Sequence, residues 1–203
     1  MKVANPIDRA MLARIKARGN GWVFSASDFL DLGSRQAVDK ALSRMTTNGT
    51  IRRVARGLYD VPRQHPIVGT TAPGIDQVAK AIAGKGATRL QPTGAYAANL
   101  LGLSEQVPAK IVFLTDGRSK RLQLGKATII LKQASPRTMA TAGTISGLVI
   151  QALRYLGQTH VTEDTIKRLD RSLSQDHRKQ LAKDLAYAPA WIASIMRRLA
   201  AKT

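Results

Sequence analysis

Ser34, Arg35, Gln36, Lys40 and Arg44 stand together in one segment, and Arg52, Arg53 and Arg56 come soon after. These residue types suit recognition of a polyanion. A guanidinium pairs bidentately with guanine and a glutamine amide with adenine. Lys and Arg also meet phosphates, which fixes position without reading sequence. Arg35 and Gln36, nearest the start of their segment, suit base edges. Lys40 and Arg44, farther along, suit phosphates. These eight residues are the candidate DNA contacts.

Residues for other chemistries are sparse. The chain of 203 residues has no cysteine, which removes disulfides, thiolate metal sites and a cysteine nucleophile together. His65, His160 and His177 lie in separate segments without metal-ligand spacing. Gly84-Lys85-Gly86 lacks both the first glycine and the following Ser/Thr of a phosphate loop, and is read as a helix-ending loop. No G-x-S-x-G nucleophile elbow occurs. The expectation is a protein that is not an enzyme and holds no cofactor or metal.

Elements must position the basic residues. Asn5 and Pro6 open a helix carrying Ile7, Met11, Leu12 and Ile15, and Arg18-Gly19-Asn20-Gly21 ends it. Trp22-Val23-Phe24 reads as extended, and Ser25 or Ser27 caps a short helix with Phe29 and Leu30, closed by Gly33. Ser34 caps a third helix whose inward face is Ala37, Val38, Ala41, Leu42 and Met45, stopped by Asn48-Gly49. Two strands, 51–54 and 58–61, follow with a turn at Ala55-Arg56-Gly57. Helices followed by a hairpin give the order of a winged helix-turn-helix, whose second motif helix enters the major groove. At a two-residue period Arg52 and Arg53 point to opposite faces of their strand. Arg56 is then the natural wing tip.

The prolines at 62, 66 and 73 mark residues 63–73 as a linker. A second domain over 74–203 begins with a helix at Asp76–Ala83, an extended Leu90-Gln91, and a helix capped by Thr93 and ended by Gly102. Strands are predicted at 110–115, 121–124 and 127–131, with turns at Asp116-Gly117 and Gly125-Lys126. From Thr144 onward the chain reads as helical, with starts at Thr162, Ser174 and Pro189. The expected fold class is α+β: a winged helix-turn-helix over 1–62, then a second domain with a short mixed sheet and a C-terminal helical bundle.

Lys and Arg number 32 against 13 acids, a net charge of +19. Such a chain repels itself unless a polyanion offsets the charge, and nucleic acid is the commonest one. Residues 1–62 hold 11 bases and 5 acids, net +6; residues 63–203 hold 21 and 8, net +13. The second domain therefore either extends the DNA-binding face or meets an acidic partner. Arg118, Lys120, Arg121 and Lys126 are its candidate contacts. Only 4% of residues are aromatic and no RNP-type motif is present, so an RNA-stacking platform has little support. The longest apolar runs, such as Ile145–Ile150, are too short for a membrane span, and Met1–Asp8 lacks signal-peptide character. A cytoplasmic location is expected.

Arg56-Gly57-Leu58-Tyr59-Asp60-Val61-Pro62, then Pro92-Thr93-Gly94-Ala95-Tyr96-Ala97-Ala98-Asn99-Leu100-Leu101-Gly102-Leu103, then Phe113-Leu114-Thr115-Asp116-Gly117-Arg118 stand in an order that resembles the AbiEi family of antitoxins. The likeness is to its small branch found beside AbiEii-like nucleotidyltransferase toxins. It runs over about residues 6–160, and the helical tail after Thr162 departs from it. The resemblance implies an antitoxin of a type IV toxin–antitoxin system that represses its own operon through inverted repeats, countering a nucleotidyltransferase toxin without necessarily binding it. It assigns DNA binding to Arg35, Gln36, Lys40, Arg44 and the wing arginines. The charge and element order alone would equally serve a winged-helix regulator with no toxin partner.

Overall fold

The Asn5 side chain accepts from the Ile7 amide at 3.2 Å, and Pro6 takes a first-turn position where no amide is needed. Helix α1 (Pro6–Arg18) starts there and buries Met11 and Ile15. The computed structural model describes residues 5–201 except 20, 66, 68, 85–88 and 107, with the backbone only at 64 and 65. Asn20, Pro66, Lys85 and Gly86, named above as helix-ending or exit residues, lie outside the described residues.

The expected second helix is shorter than its pattern. A single 3-10 turn, Ala26–Phe29, stands in its place. The Ser25 amide donates to Asp28 Oδ2 at 2.8 Å, closing the segment locally, and the chain turns again by Leu32. Gly33 then passes close to α1, where an added Cβ would lie 2.8 Å from Ile7 Cδ1. Ser34 caps α2 (Arg35–Thr47) by accepting from the Ala37 amide, and Val38, Ala41, Leu42 and Met45 are buried. Strands β1 (Arg52–Ala55) and β2 (Leu58–Asp60) form an antiparallel hairpin with an irregularity between Arg53 and Ala55. Gly57 turns it at φ 73°, a left-handed conformation that suits glycine. Phe24 exchanges two backbone hydrogen bonds with Tyr59, at 2.9 and 2.8 Å, and so pairs with β2. Phe24 and Phe29 meet edge-on at 5.5 Å in the core beneath.

Residues 63–73 are not a structureless linker. Strands β3 (Arg63–His65) and β4 (Gly69–Thr71) pair antiparallel, with Pro62 and Pro73 left outside the ladder. Helix α3 (Ile75–Ala83) follows, burying Val78 and Ala79. The chain divides into two compact units, 1–82 and 83–203.

The second unit holds β5 (Leu90–Thr93), α4 (Gly94–Leu100), β6 (Lys110–Thr115), β7 (Lys120–Leu124) and β8 (Ala127–Gln133). The sheet order is β5-β6-β8-β7, with β6 and β8 parallel and the other pairs antiparallel. Gly125-Lys126 is the hairpin turn expected, joining β7 to β8. Asp116–Ser119 is not a hairpin turn: it passes over the end of β8, which inserts between β6 and β7. Ser119 Oγ accepts from the Gln133 amide at 3.0 Å beneath that crossing. Burial explains the order. β6 and β8 carry Ile111, Phe113, Ile129 and Leu131, all buried, and belong at the centre. β7, with Lys120, Arg121 and Gln123 exposed, belongs at an edge.

Helix α5 (Pro136–Met139) is one turn, and α6 (Ile145–Leu156) packs on α4 and β5. Gly147 permits that contact: a Cβ there would overlap the Thr141 carbonyl oxygen and Gln91 Oε1. Helices α7 (Glu163–Ser172), α8 (Gln175–Lys183) and α9 (Ala190–Ala200) complete the C-terminal part. Their Ile166, Leu169, Leu181, Ile192, Met196 and Leu199 share one apolar core with α4 and α6. The chain is α+β. Among the described residues no helix is long and apolar enough to cross a membrane.

Candidate nucleic-acid interface

The first unit has a groove of about 380 Å³ between the start of α2, the 3-10 turn and the β1–β2 hairpin. Ser25, Ala26 and Ser27 line one side, Arg35 and Asp39 another, and Arg53, Arg56, Gly57 and Tyr59 the third. The period-two argument for the strand holds. Arg53 faces the groove, whereas Arg52 turns to the far side, where Nε and Nη2 donate to Asp60 at 2.8 and 2.7 Å. Its Nη2 also donates to the Thr71 carbonyl at 2.7 Å, tying β1 to β4. The Asp60 hydrogen bond raises the Arg52 guanidinium above its ordinary pKa. The Asp60 side chain is 2% exposed, so Arg52 neutralises a buried carboxylate.

Arg44 is likewise occupied. Its Nε and Nη2 donate to both oxygens of Asp8, at 3.1 and 2.6 Å, joining α2 to α1. That hydrogen bond raises its pKa. Arg44 and Arg52, expected as DNA contacts, are thus held within the unit by carboxylates that the sequence separates from them by 36 and 8 positions. Arg35 Nε donates to Asp39 Oδ2 at 2.8 Å, an exposed pair one helical turn apart. Gln36 and Lys40 are exposed on α2, and Ser34 is engaged as the α2 cap. Arg53 and Arg56 are exposed and make no ion pair among the described residues. The structure therefore brings Arg35, Arg53 and Arg56 to one groove.

Sequence reasoning missed Ser25, Ser27 and Tyr59 as groove residues. Ser25 carried a signal, because Ser-x-x-Asp is a helix-start pattern and fixes where the 3-10 turn begins. Tyr59 carried none, since its place depends on the Phe24 pairing across the core.

A family model described as a family of unknown function (DUF6088) matches residues 10–181. The chain belongs to that family. Among curated proteins, none matches it. The family match takes in the whole groove and most of the second unit.

In the part of the family match that covers the sheet, the four second-domain candidates are dispersed. Arg118 is exposed in the crossing loop, and Lys120, at the start of β7, donates to the Ala83 carbonyl at 3.3 Å. Arg121 pairs in register with Ile130, on the opposite sheet face from Lys120. Lys126 sits at the far end of β7, about 14 Å along the strand from Lys120. At the start of the crossing loop, Asp116 accepts from the Arg89 amide at 2.8 Å and from Arg89 Nε at 3.0 Å. The Arg89 side-chain hydrogen bond holds the Asp116 carboxyl below its ordinary pKa.

Proposed function

We propose that the first unit binds duplex DNA as a winged helix-turn-helix, and that the chain is a non-enzymatic cytoplasmic antitoxin of a type IV toxin–antitoxin system that represses its own operon. The observation that carries DNA binding is the groove in which Arg35, Arg53 and Arg56 meet beside two serines. Arg53 and Arg56, exposed without carboxylate partners among the described residues, suit phosphates; Arg35 and Gln36, at the start of α2, suit base edges. The net charge of +19 favours the same ligand. The antitoxin role is supported by the order of motifs that resembles AbiEi, and its functional partner in that scheme is a nucleotidyltransferase toxin.

Retardation of a labelled fragment from upstream of the chain's own reading frame tests the first part. The full chain should shift that fragment in preference to unrelated duplex, and the Arg35→Ala/Arg53→Ala/Arg56→Ala variant should not. Equal competition by unrelated duplex would sink autorepression. Co-expression with the neighbouring nucleotidyltransferase frame tests the second part. Restored growth supports the antitoxin; failure to restore it, with specific DNA binding retained, identifies a stand-alone winged-helix regulator.

A further inference from the structure

We infer that Asp39 is a specificity-determining residue, whose carboxylate holds Arg35 so that one edge of the guanidinium is kept for a guanine. The inference rests on the duplex-reading role proposed for the groove. A guanidinium presents two bidentate edges, one made by Nε with an Nη, the other by the two Nη groups. Asp39 Oδ2 occupies Nε at 2.8 Å, and the Nη groups make no hydrogen bond among the described residues. The end-on edge is the one left, and its two parallel donors match guanine O6 and N7. Holding the long side chain beforehand also reduces the rotamer entropy lost on binding.

Helix stability does not account for the pair. Both partners are at least half exposed, at 67% and 50%, and exposed pairs contribute little. Its polarity is also adverse, with the cation in the first turn and the carboxylate one turn later, against the helix dipole. In the groove Asp39 is the one carboxylate among the lining residues, facing Arg35, Arg53 and Arg56. An approaching phosphate is repelled by it. The carboxylate thus lowers indiscriminate affinity while it sharpens one base contact.

The test selects bound duplexes from a library with a randomised core, using the full chain as wild type, Asp39→Ala, Asp39→Glu and Arg35→Ala. Competition between single-base variants of the selected site then measures preference. Wild type should prefer guanine at one position, and Asp39→Ala should lose about 5- to 150-fold of that preference. Its affinity for unrelated duplex should hold or rise. Asp39→Glu, which keeps a carboxylate one turn from Arg35, should retain the preference. Adding Asp39→Ala to Arg35→Ala should change the preference no further, and unaltered thermal melting should accompany every variant. An Asp39→Ala protein that keeps its guanine preference while binding all duplexes more tightly overturns the inference alone. So does a wild type that retards its operator with no guanine preference. Absence of any retardation by wild type overturns the DNA reading itself, and this inference with it.

Discussion

Adjacent arginines on one strand provide the most discriminating test of the groove. Arg52→Ala removes both donors to Asp60, at 2.8 and 2.7 Å, and the donor to the Thr71 carbonyl. The Asp60 side chain is 2% exposed, so a buried carboxylate is left without its partner. Removing one member of a buried pair costs about 3–5 kcal/mol. Arg52 is itself 28% exposed, and water reaching that side places the expected loss near the lower bound, about 3 kcal/mol. In a unit of this size that corresponds to a midpoint lowered by at least about 10 °C. Arg53→Ala removes an exposed side chain without an ion pair, and should change stability by no more than about 0.5 kcal/mol. The DNA effects run the other way. Loss of one phosphate contact flattens the dependence of log affinity on log salt by about 0.9, which is expected for Arg53→Ala and not for Arg52→Ala below its melting range. Trp22, partly buried against the first unit's core, reports unfolding once Trp191 is replaced by Phe, and anisotropy of a labelled duplex across a salt series reports binding. An Arg52→Ala protein that melts like wild type and shows the flattened salt slope would refute the assignment. Equal loss of stability in both variants would refute it too.

Two further perturbations address the second unit. Gly147→Ala gains about 1 kcal/mol of helix propensity but forces a Cβ onto the Thr141 carbonyl and the buried Gln91 amide, an overlap costing about 1–3 kcal/mol beyond the hydrogen bond that Gln91 accepts from the Gly143 amide. A net loss of about 1–3 kcal/mol is expected in Trp191-monitored denaturation, and a gain in stability would show that α6 and β5 are not held at that distance. The second perturbation is acid. Because the Arg89 hydrogen bond lowers the folded pKa of Asp116, its stabilisation is complete above the ordinary value of 3.8 and is lost as pH falls through the lowered value. Asp116→Asn should therefore show a shallower loss of stability below about pH 4 than wild type; identical acid limbs would mean that Arg89 does not hold the carboxylate in solution.

Much of the first unit was legible because its signals are local. Asn5-Pro6, Ser34 and Asn48-Gly49 bound α1 and α2 through side chains or turns within three residues of the backbone they end. The apolar face Val38, Ala41, Leu42, Met45 follows from helical period alone. What escaped was set by partners far along the chain. Nothing near Arg44 or Arg52 marks them as occupied; Asp8 and Asp60 do so only once the helices pack and the hairpin closes. The hairpin within 63–73 escaped because flanking prolines read as a break, though they stand outside the paired residues. The order β5-β6-β8-β7 escaped because Asp116-Gly117 has the composition of a hairpin turn, while the competing requirement, that the two apolar strands lie side by side, belongs to the whole sheet.

Most of the acids in residues 1–62 are committed to arginines away from the groove. Residues 1–62 carry only 5 acids against 11 bases. Asp8, Asp31 and Asp60 bind Arg44, Arg14 and Arg52, fixing α2 to α1, α1 to the segment after the 3-10 turn, and β1 to β2. Asp28 is engaged by the Ser25 amide. Neutralisation is thus concentrated on arginines that hold the unit together, and Asp39 is the one acid at the groove. Arg53 and Arg56 make no ion pair among the described residues where α2 and the hairpin converge. Setting those three pairs aside leaves 8 bases and 2 acids over residues 1–62, so the net charge stays +6 while the acids left over are Asp28 and Asp39. Arg53 and Arg56 are among the bases so left and line the groove, which is where the proposed function would place a phosphate backbone.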